Sequence, residues 1–236
     1  IATNSANGTD LTVTANNSFG GQSGIIARNS GSGALSITST GTATGTTLYG
    51  IIATNSANGT DLTVTANNSS GGYTGIGTYN GGSGALSITS TGTASGTSLY
   101  GIAVRNSSNG TDLTVTANNS SGGQDGIFAY NLGSGALSVT STGTANGTSR
   151  YGIIAVNSAN GTDLTVTANN SSGGLNGIRA YSTGSGALSI TSTGTASGTG
   201  RNGIAAYNFG GGTDLTVTAN NSSGGLNGIR AYSTGS

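Results

Sequence analysis

The sequence predicts an all-β protein, a right-handed parallel β-helix (a β-solenoid) of about nine coils. Three observations predict it. The octapeptide Asp-Leu-Thr-Val-Thr-Ala-Asn-Asn occurs five times, starting at Asp10, Asp61, Asp112, Asp163 and Asp214, each 51 residues after the last. Between these copies runs a variant, Ala-Leu-Ser-Ile/Val-Thr-Ser-Thr-Gly, with its Leu at Leu35, Leu86, Leu137 and Leu188, so the half-repeats are 24 and 27 residues long. A Gly-Ile pair recurs from Gly24 to Gly228 at spacings of 25 or 26 residues, nine times in all. A fixed period of this size marks a stacked array of units. The reading is therefore one continuous segment, 1–236, of coils 24–27 residues long, two per 51-residue repeat.

Each coil begins with a strand. Leu11, Val13 and Ala15 alternate with Thr12 and Thr14, the two-residue period of a strand with one apolar face. Val and Thr suit a pleated surface. Asn16-Asn17-Ser18 and Gly20-Gly21 then turn the chain, because Asn and Gly tolerate turn conformations. A second strand opens at Gly24-Ile25, with Ile25, Ala27 and Asn29 on one face and Ile26 and Arg28 on the other. A short third strand is expected near Thr42-Ala43-Thr44, completing a three-sided section. Helices are disfavoured by the abundance of Gly and β-branched residues and by the lack of a 3.6-residue pattern. The near-constant coil length favours winding over a meander of hairpins, and right-handed crossovers are the general preference. Coils stacked at about 4.8 Å make nine of them a rod roughly 43 Å long. No coil is expected to stand alone; stacking supplies the ladder hydrogen bonds and a continuous core.

Two inward or edge columns follow from the same spacing. Asn29, Asn55, Asn80, Asn106, Asn131, Asn157 and Asn208 fall at one corner and are expected to form a side-chain amide ladder. Asp10 and its copies occupy alternate coils only, with Ala34 and its copies between. Like charges on adjacent strands repel, so the skipped coil doubles their separation; these Asp read as turn and solubility devices.

Composition limits chemistry. The 236 residues include 46 Gly and no Pro, Cys, Met, Trp or His; six Arg and six Asp give a net charge of zero. Without Cys there are no disulfides or thiolate metal sites. No apolar run is long enough to span a bilayer, no signal peptide is evident, and no basic or acidic patch suggests nucleic acid as a partner. Both ends repeat internal sequence, so the chain reads as an uncapped excerpt of a longer array. Neither a cofactor nor a metal ion is expected: Gly211-Gly212-Thr213-Asp214 echoes calcium-binding repeats, yet calcium needs six to eight oxygens and the carboxylates are sparse. Asn-Gly-Thr and Asn-Asn-Ser match the glycosylation sequon, a weak signal in so Asn-, Ser- and Thr-rich a chain. General acid–base catalysis needs paired carboxylates or a His or Lys base. Only Asp125 lies outside the periodic Asp column, with Arg105 and Arg150 a coil to either side, so no catalytic residue is assigned and the chain reads as no enzyme.

The repeats differ in one place. The Leu-Thr-Val-Thr strand is nearly invariant, whereas the outward positions of the Gly-Ile strand vary. All six Arg and all nine Tyr lie in that strand or in the two residues before it. Tyr and Arg are enriched in binding hot spots. The candidate contact face is Arg28, Tyr79, Arg105, Phe128, Tyr130, Arg179, Tyr181, Tyr207, Arg230 and Tyr232, with Tyr49, Tyr73, Tyr100, Tyr151, Arg150 and Arg201 in the lead-in. Cross-strand packing of aromatic residues is the competing explanation. A second outward surface, the Thr-x-Thr and Ser-x-Thr ranks of Thr12/Thr14, Ser36/Thr38 and their successors, resembles ice-binding faces, with Ser in alternate coils departing from that pattern.

The Gly-rich, Cys-free coils of Leu-x-Val/Ile-Thr and Gly-Ile-x-Ala-x-Asn resemble, over the whole chain, the repeat region of bacterial autotransporter-type or large secreted adhesins with a pectin-lyase-like β-helix. The resemblance implies a secreted or surface-exposed rod, outside the cell, that projects, adheres or forms filaments. Its implied partners are a host or neighbouring-cell surface, a glycan, or further copies of itself, with membrane anchoring only through parts outside this segment. The family shares no site motif, so no functional residue is carried over. An ice-binding solenoid and a carbohydrate-binding or -processing β-helix are the alternatives.

Overall fold

The computed structural model describes residues 1–235. It is a parallel β-solenoid without helices among those residues. Ten strands of the Gly-Ile type, from Ala2–Asn4 to Asn227–Ser233, form one sheet. The Leu-type strands, from Leu11–Ala15 to Leu215–Gly224, form the other. Each strand pairs in parallel with its own copy one coil away, so Leu62 lies beside Leu86 and Ile102 beside Ile127. The expected winding and the coil length of about 25 residues are both present.

The third side is built differently from the expectation. Thr42-Ala43-Thr44 is no separate strand; it is the tail of Leu35–Gly45. Pairing with Leu62–Gly71 slips by one residue between Ser39 and Thr42, because one strand has 11 residues and the other 10. Such a bulge bends a strand, so one long strand serves two sides of the section. The Asn pair at this bend holds both neighbouring coils. Asn67 Nδ2 donates to the Thr40 carbonyl at 3.3 Å, and Asn68 Oδ1 accepts the Thr93 amide at 3.0 Å. Those bonds replace ladder contacts that the bulge breaks, which explains why Asn-Asn recurs at every such corner.

The core is a set of stacked columns. Leu35, Leu62, Leu86 and Leu113 are fully buried, as are Ile37, Val64, Ile88 and Val115 beside them. A third column alternates Ala66 and Ala117 with Ser39, Ser90 and Ser141; these Ser hydroxyls are buried without a hydrogen-bond partner.

The amide ladder forms. Asn29 Nδ2 donates to Asn55 Oδ1 at 3.0 Å, Asn55 to Asn80 at 3.1 Å, Asn80 to Asn106 at 3.2 Å, and so on to Asn157. Asn4 extends it at the other end, donating to Asn29 at 2.9 Å. Each amide also holds its own loop, as when Asn55 Nδ2 donates to the Thr60 carbonyl. Ser182 breaks the series, and the Oδ1 of Asn208 beyond it is buried without a partner.

The Asp column has a defined bond. Asp10 Oδ1 accepts the Ala34 amide at 2.8 Å, and Asp61, Asp112 and Asp163 accept those of Ala85, Ala136 and Ala187. The carboxylate of one coil thus caps an amide of the next. A Cβ on the adjacent Gly33 or Gly84 would collide with the same oxygen, so Gly is required there.

Candidate contact face

Strand alternation builds the site. In Asp125–Asn131, Ile127, Ala129 and Asn131 point into the core, which leaves Phe128 and Tyr130 on the outer surface. Parallel register then turns each outward position into a column. Arg28, Thr54, Tyr79, Arg105, Tyr130, Val156, Tyr181, Tyr207 and Tyr232 form one column. Ile26, Ile52, Gly77, Ala103, Phe128, Ile154, Arg179, Ala205 and Arg230 form the next, two residues along each strand. All ten residues of the expected face lie on this one sheet surface. Three outward positions are nevertheless buried: Gly77, Ile154 and Ala205.

The side chains interleave. The Arg105 guanidinium carbon sits 6.0 Å from the Tyr79 ring centroid and 5.7 Å from that of Tyr130. Phe128 lies 5.4 Å from Tyr100 and 6.4 Å from Tyr130. Arg179 donates to the Tyr151 hydroxyl at 3.1 Å while lying 5.6 Å from its ring centroid. Arg230 lies 5.7 Å from the Tyr207 ring. Tyr181, Tyr207 and Tyr232 gather around Phe209, with centroids 5.4, 6.1 and 5.5 Å away. Arg28 stands apart, beside Thr54 and Thr3. Phe209 escaped the strand reading because it sits in a loop, at the position that holds Ser56 in an earlier copy. Its sole sequence signal is that replacement.

Asp125 is a special case within the face. It is fully buried at the start of its strand, its Oδ1 accepting the Tyr151 amide at 3.1 Å. Arg150 approaches its Oδ2 at 3.8 Å and donates to Gln124 Oε1 at 3.2 Å. Arg105, the other expected partner, is engaged with tyrosines instead. Burial pushes the Asp125 carboxyl above the usual carboxylate range; Arg150 and the Tyr151 amide oppose that shift. Burial, with the Asp125 charge second, also raises the Tyr100 hydroxyl.

A shallow cleft of about 230 Å³ opens where the outward column narrows to Gly77 and Ala103. Tyr49, Tyr73, Tyr79 and Tyr100 rim it. Tyr73 and Tyr79 are each 42% exposed. A Cβ on Gly77 would lie 3.1 Å from the Tyr49 ring, so that ring rests against the bare glycine. Elsewhere the carboxylates stay dispersed: among the described residues no three His, Cys, Asp or Glu come together. What the face presents chemically is aromatic surface and guanidinium donors.

Fold and surface together define a parallel β-solenoid repeat protein whose tyrosines and arginines lie in, or just before, the strands of one sheet. No protein-family model, curated protein or solved structure matches the chain.

Proposed function

We propose that the chain is the rod of an extracellular bacterial surface protein of the autotransporter or large secreted adhesin type. It acts without catalysis, through length, rigidity and a repeated Tyr- and Arg-bearing face. One observation carries this reading: two registered columns gather the variable side chains on one sheet, while the stacked core is constant from coil to coil. Weak contacts repeated along a stiff rod add up by avidity. Its partners are a cell surface or its glycans, or neighbouring rods in a filament.

Beads coated with the chain should adhere to host-type or bacterial cells. Replacing Tyr79, Arg105, Tyr130, Tyr181 and Tyr207 together by Thr, the residue at the Thr54 position of the same column, should cut adhesion by about tenfold or more at equal coating. Undiminished adhesion would sink the assignment of the face.

A second reading, ice binding, draws on the opposite sheet. Thr14, Thr38, Thr65, Thr89, Thr116, Thr140, Thr167, Thr191 and Thr218 form an unbroken column. Its test is thermal hysteresis of the purified chain; ordinary ice growth would remove it.

A further inference from the structure

We propose that the cleft between Tyr49, Tyr73, Tyr79 and Tyr100 is an aromatic cage for a quaternary ammonium group, the trimethylammonium head of choline and its derivatives. It goes beyond adhesion, because it depends on these four rings alone.

The rings stand as walls. A Cβ on Gly77 would meet Cδ1 and Cε1 of Tyr49 at 3.1 Å, and its next neighbour would be a Thr74 methyl at 3.9 Å. Only one edge of the Tyr49 ring therefore touches the glycine, and the ring's faces turn sideways. Tyr73 is set at 77° to it, with the centroids 6.3 Å apart. A cation in the corner of two such planes lies about 4.5 Å from each centroid, inside the roughly 6 Å reach of a cation–π contact. Tyr100 follows Tyr49 two strands along the same column, with the smaller Thr74 between them. Their backbones are thus about 9.6 Å apart, which leaves room for one head group between the rings. Tyr79, 42% exposed, completes the rim.

The lining selects the chemistry. At about 230 Å³ the cleft suits a head group; drug-sized ligands need roughly 300 Å³ or more. Among the described residues no charged side chain lines it, and its side-chain polar groups are Tyr and Thr hydroxyls. An anion finds no counter-charge there, and a cation with N–H donors would turn them toward ring carbons. A quaternary ammonium carries charge without N–H groups, so it gives up no hydrogen bonds on entry, and the negative faces of the rings attract it. Tyrosines of this sheet hold cations elsewhere: Arg179 lies 5.6 Å from the Tyr151 centroid and Arg230 5.7 Å from that of Tyr207. Among the described residues no guanidinium sits over Tyr49, Tyr73 or Tyr100. Arg105, 6.0 Å from the Tyr79 centroid, works against a second cation. Arg150, beyond Tyr100, is offset by Asp125 at 3.8 Å.

The test titrates the whole chain by NMR with choline and with 3,3-dimethylbutan-1-ol, which has the same shape but carbon in place of the charged nitrogen. Choline should shift the Gly77, Tyr79 and Ala103 resonances, and the neutral analogue should bind about fivefold more weakly or worse. Tyr73→Leu copies Leu48 and Leu99, which hold the same place one coil to either side. It keeps apolar bulk without the π face, and should erase the preference for choline at unchanged thermal stability. Gly77→Ile fills the cleft with the side chain that stands at Ile52 and should abolish binding of both probes. Co-sedimentation with phosphatidylcholine but not phosphatidylglycerol vesicles would place the head group on a lipid; choline binding without vesicle binding would assign the cage to soluble compounds. Equal binding of the two probes, no binding of choline at millimolar concentration, or a choline preference that survives Tyr73→Leu would each overturn the cage. The bead assay keeps the two proposals apart. Choline binding by chains whose beads fail to adhere removes the adhesive rod and leaves the cage, whereas adhesion by a chain that ignores choline does the reverse.

Discussion

The two sheets share one winding, yet their outer surfaces obey different rules. On the Leu-type sheet, Thr14 meets Thr38, Thr65 and Thr89 in an unbroken column. On the Gly-Ile sheet, the corresponding outer column runs Thr54, Tyr79, Arg105, Tyr130 and Val156. Their inner faces differ far less: Leu62 over Leu86 and Leu113 on one side, Ile76 over Ile102 and Ile127 on the other, all fully buried. Stacking therefore fixes what points inward on both sheets, and leaves the outer Gly-Ile positions free to vary. The contrast predicts a graded response to substitution, from the shared core outward.

The core should respond most. Leu113→Ala removes a fully buried side chain from the middle of a column and should cost about 2–5 kcal/mol. Because an array can open locally, native-state hydrogen exchange should show the loss concentrated in the adjacent coils. A loss spread evenly over the rod would contradict nearest-neighbour stacking.

The ladder comes next. Asn106 accepts from Asn80 and donates to Asn131 and to the carbonyls of Thr111 and Asp112. Asn106→Ala strands several buried polar groups and should cost about 2–3 kcal/mol by chemical denaturation. The reverse change is available where the ladder is broken. Ser182→Asn should accept from Asn157 and donate to the orphaned Asn208 Oδ1, raising stability by about 1 kcal/mol; an unchanged midpoint would show that the ladder adds nothing beyond its loops.

Asp125 probes the boundary between core and face. Its carboxyl is raised in the folded state, so between the ordinary carboxylate range and the raised value the folded chain holds a proton there that the unfolded chain has released. Its contribution favours folding at acid pH and is lost as pH rises from the ordinary carboxylate range through the raised value. Asp125→Asn should therefore stabilise at pH 7 and lose that advantage at low pH. The Asn already has a precedent: Asn176, in an equivalent lead-in position, accepts the Asn202 amide at 3.1 Å. A variant less stable at pH 7 would mean that Arg150 outweighs burial.

The face itself should respond least. Tyr130→Thr removes packing against Arg105 and Phe128 and should cost about 1 kcal/mol or less. A larger loss would make the aromatic column a structural element rather than a surface left free for a partner.

The scaffold was legible in the sequence because its determinants are periodic. Leu11, Val13 and Ala15 show strand alternation, and the recurrence of each residue a coil later gives the register directly. The Asn corner and the alternate-coil Asp were readable for the same reason. Three features were hidden. The bulge depends on comparing the 11-residue Leu35–Gly45 with the 10-residue Leu62–Gly71 as spatial neighbours. Phe209 joins the aromatic cluster from a loop that carries no strand period. The cleft over Gly77 is made by missing atoms, and only the placement of Tyr49, Tyr73 and Tyr100 around that gap gives it walls.

The alternation of 11- and 10-residue strands, with one Asp for every two coils, also bears on how such a chain changes length. Near-identical repeats invite recombination within a gene. Losing a single Ala-bearing coil would set two Asp-bearing coils side by side, and losing any one coil would pair two strands of equal length with no bulge between them. Losing 51 residues keeps the Asp caps and the bulges in register. Copy number can therefore drift only in steps of two coils, and the reach of the rod is graduated in increments of about 10 Å.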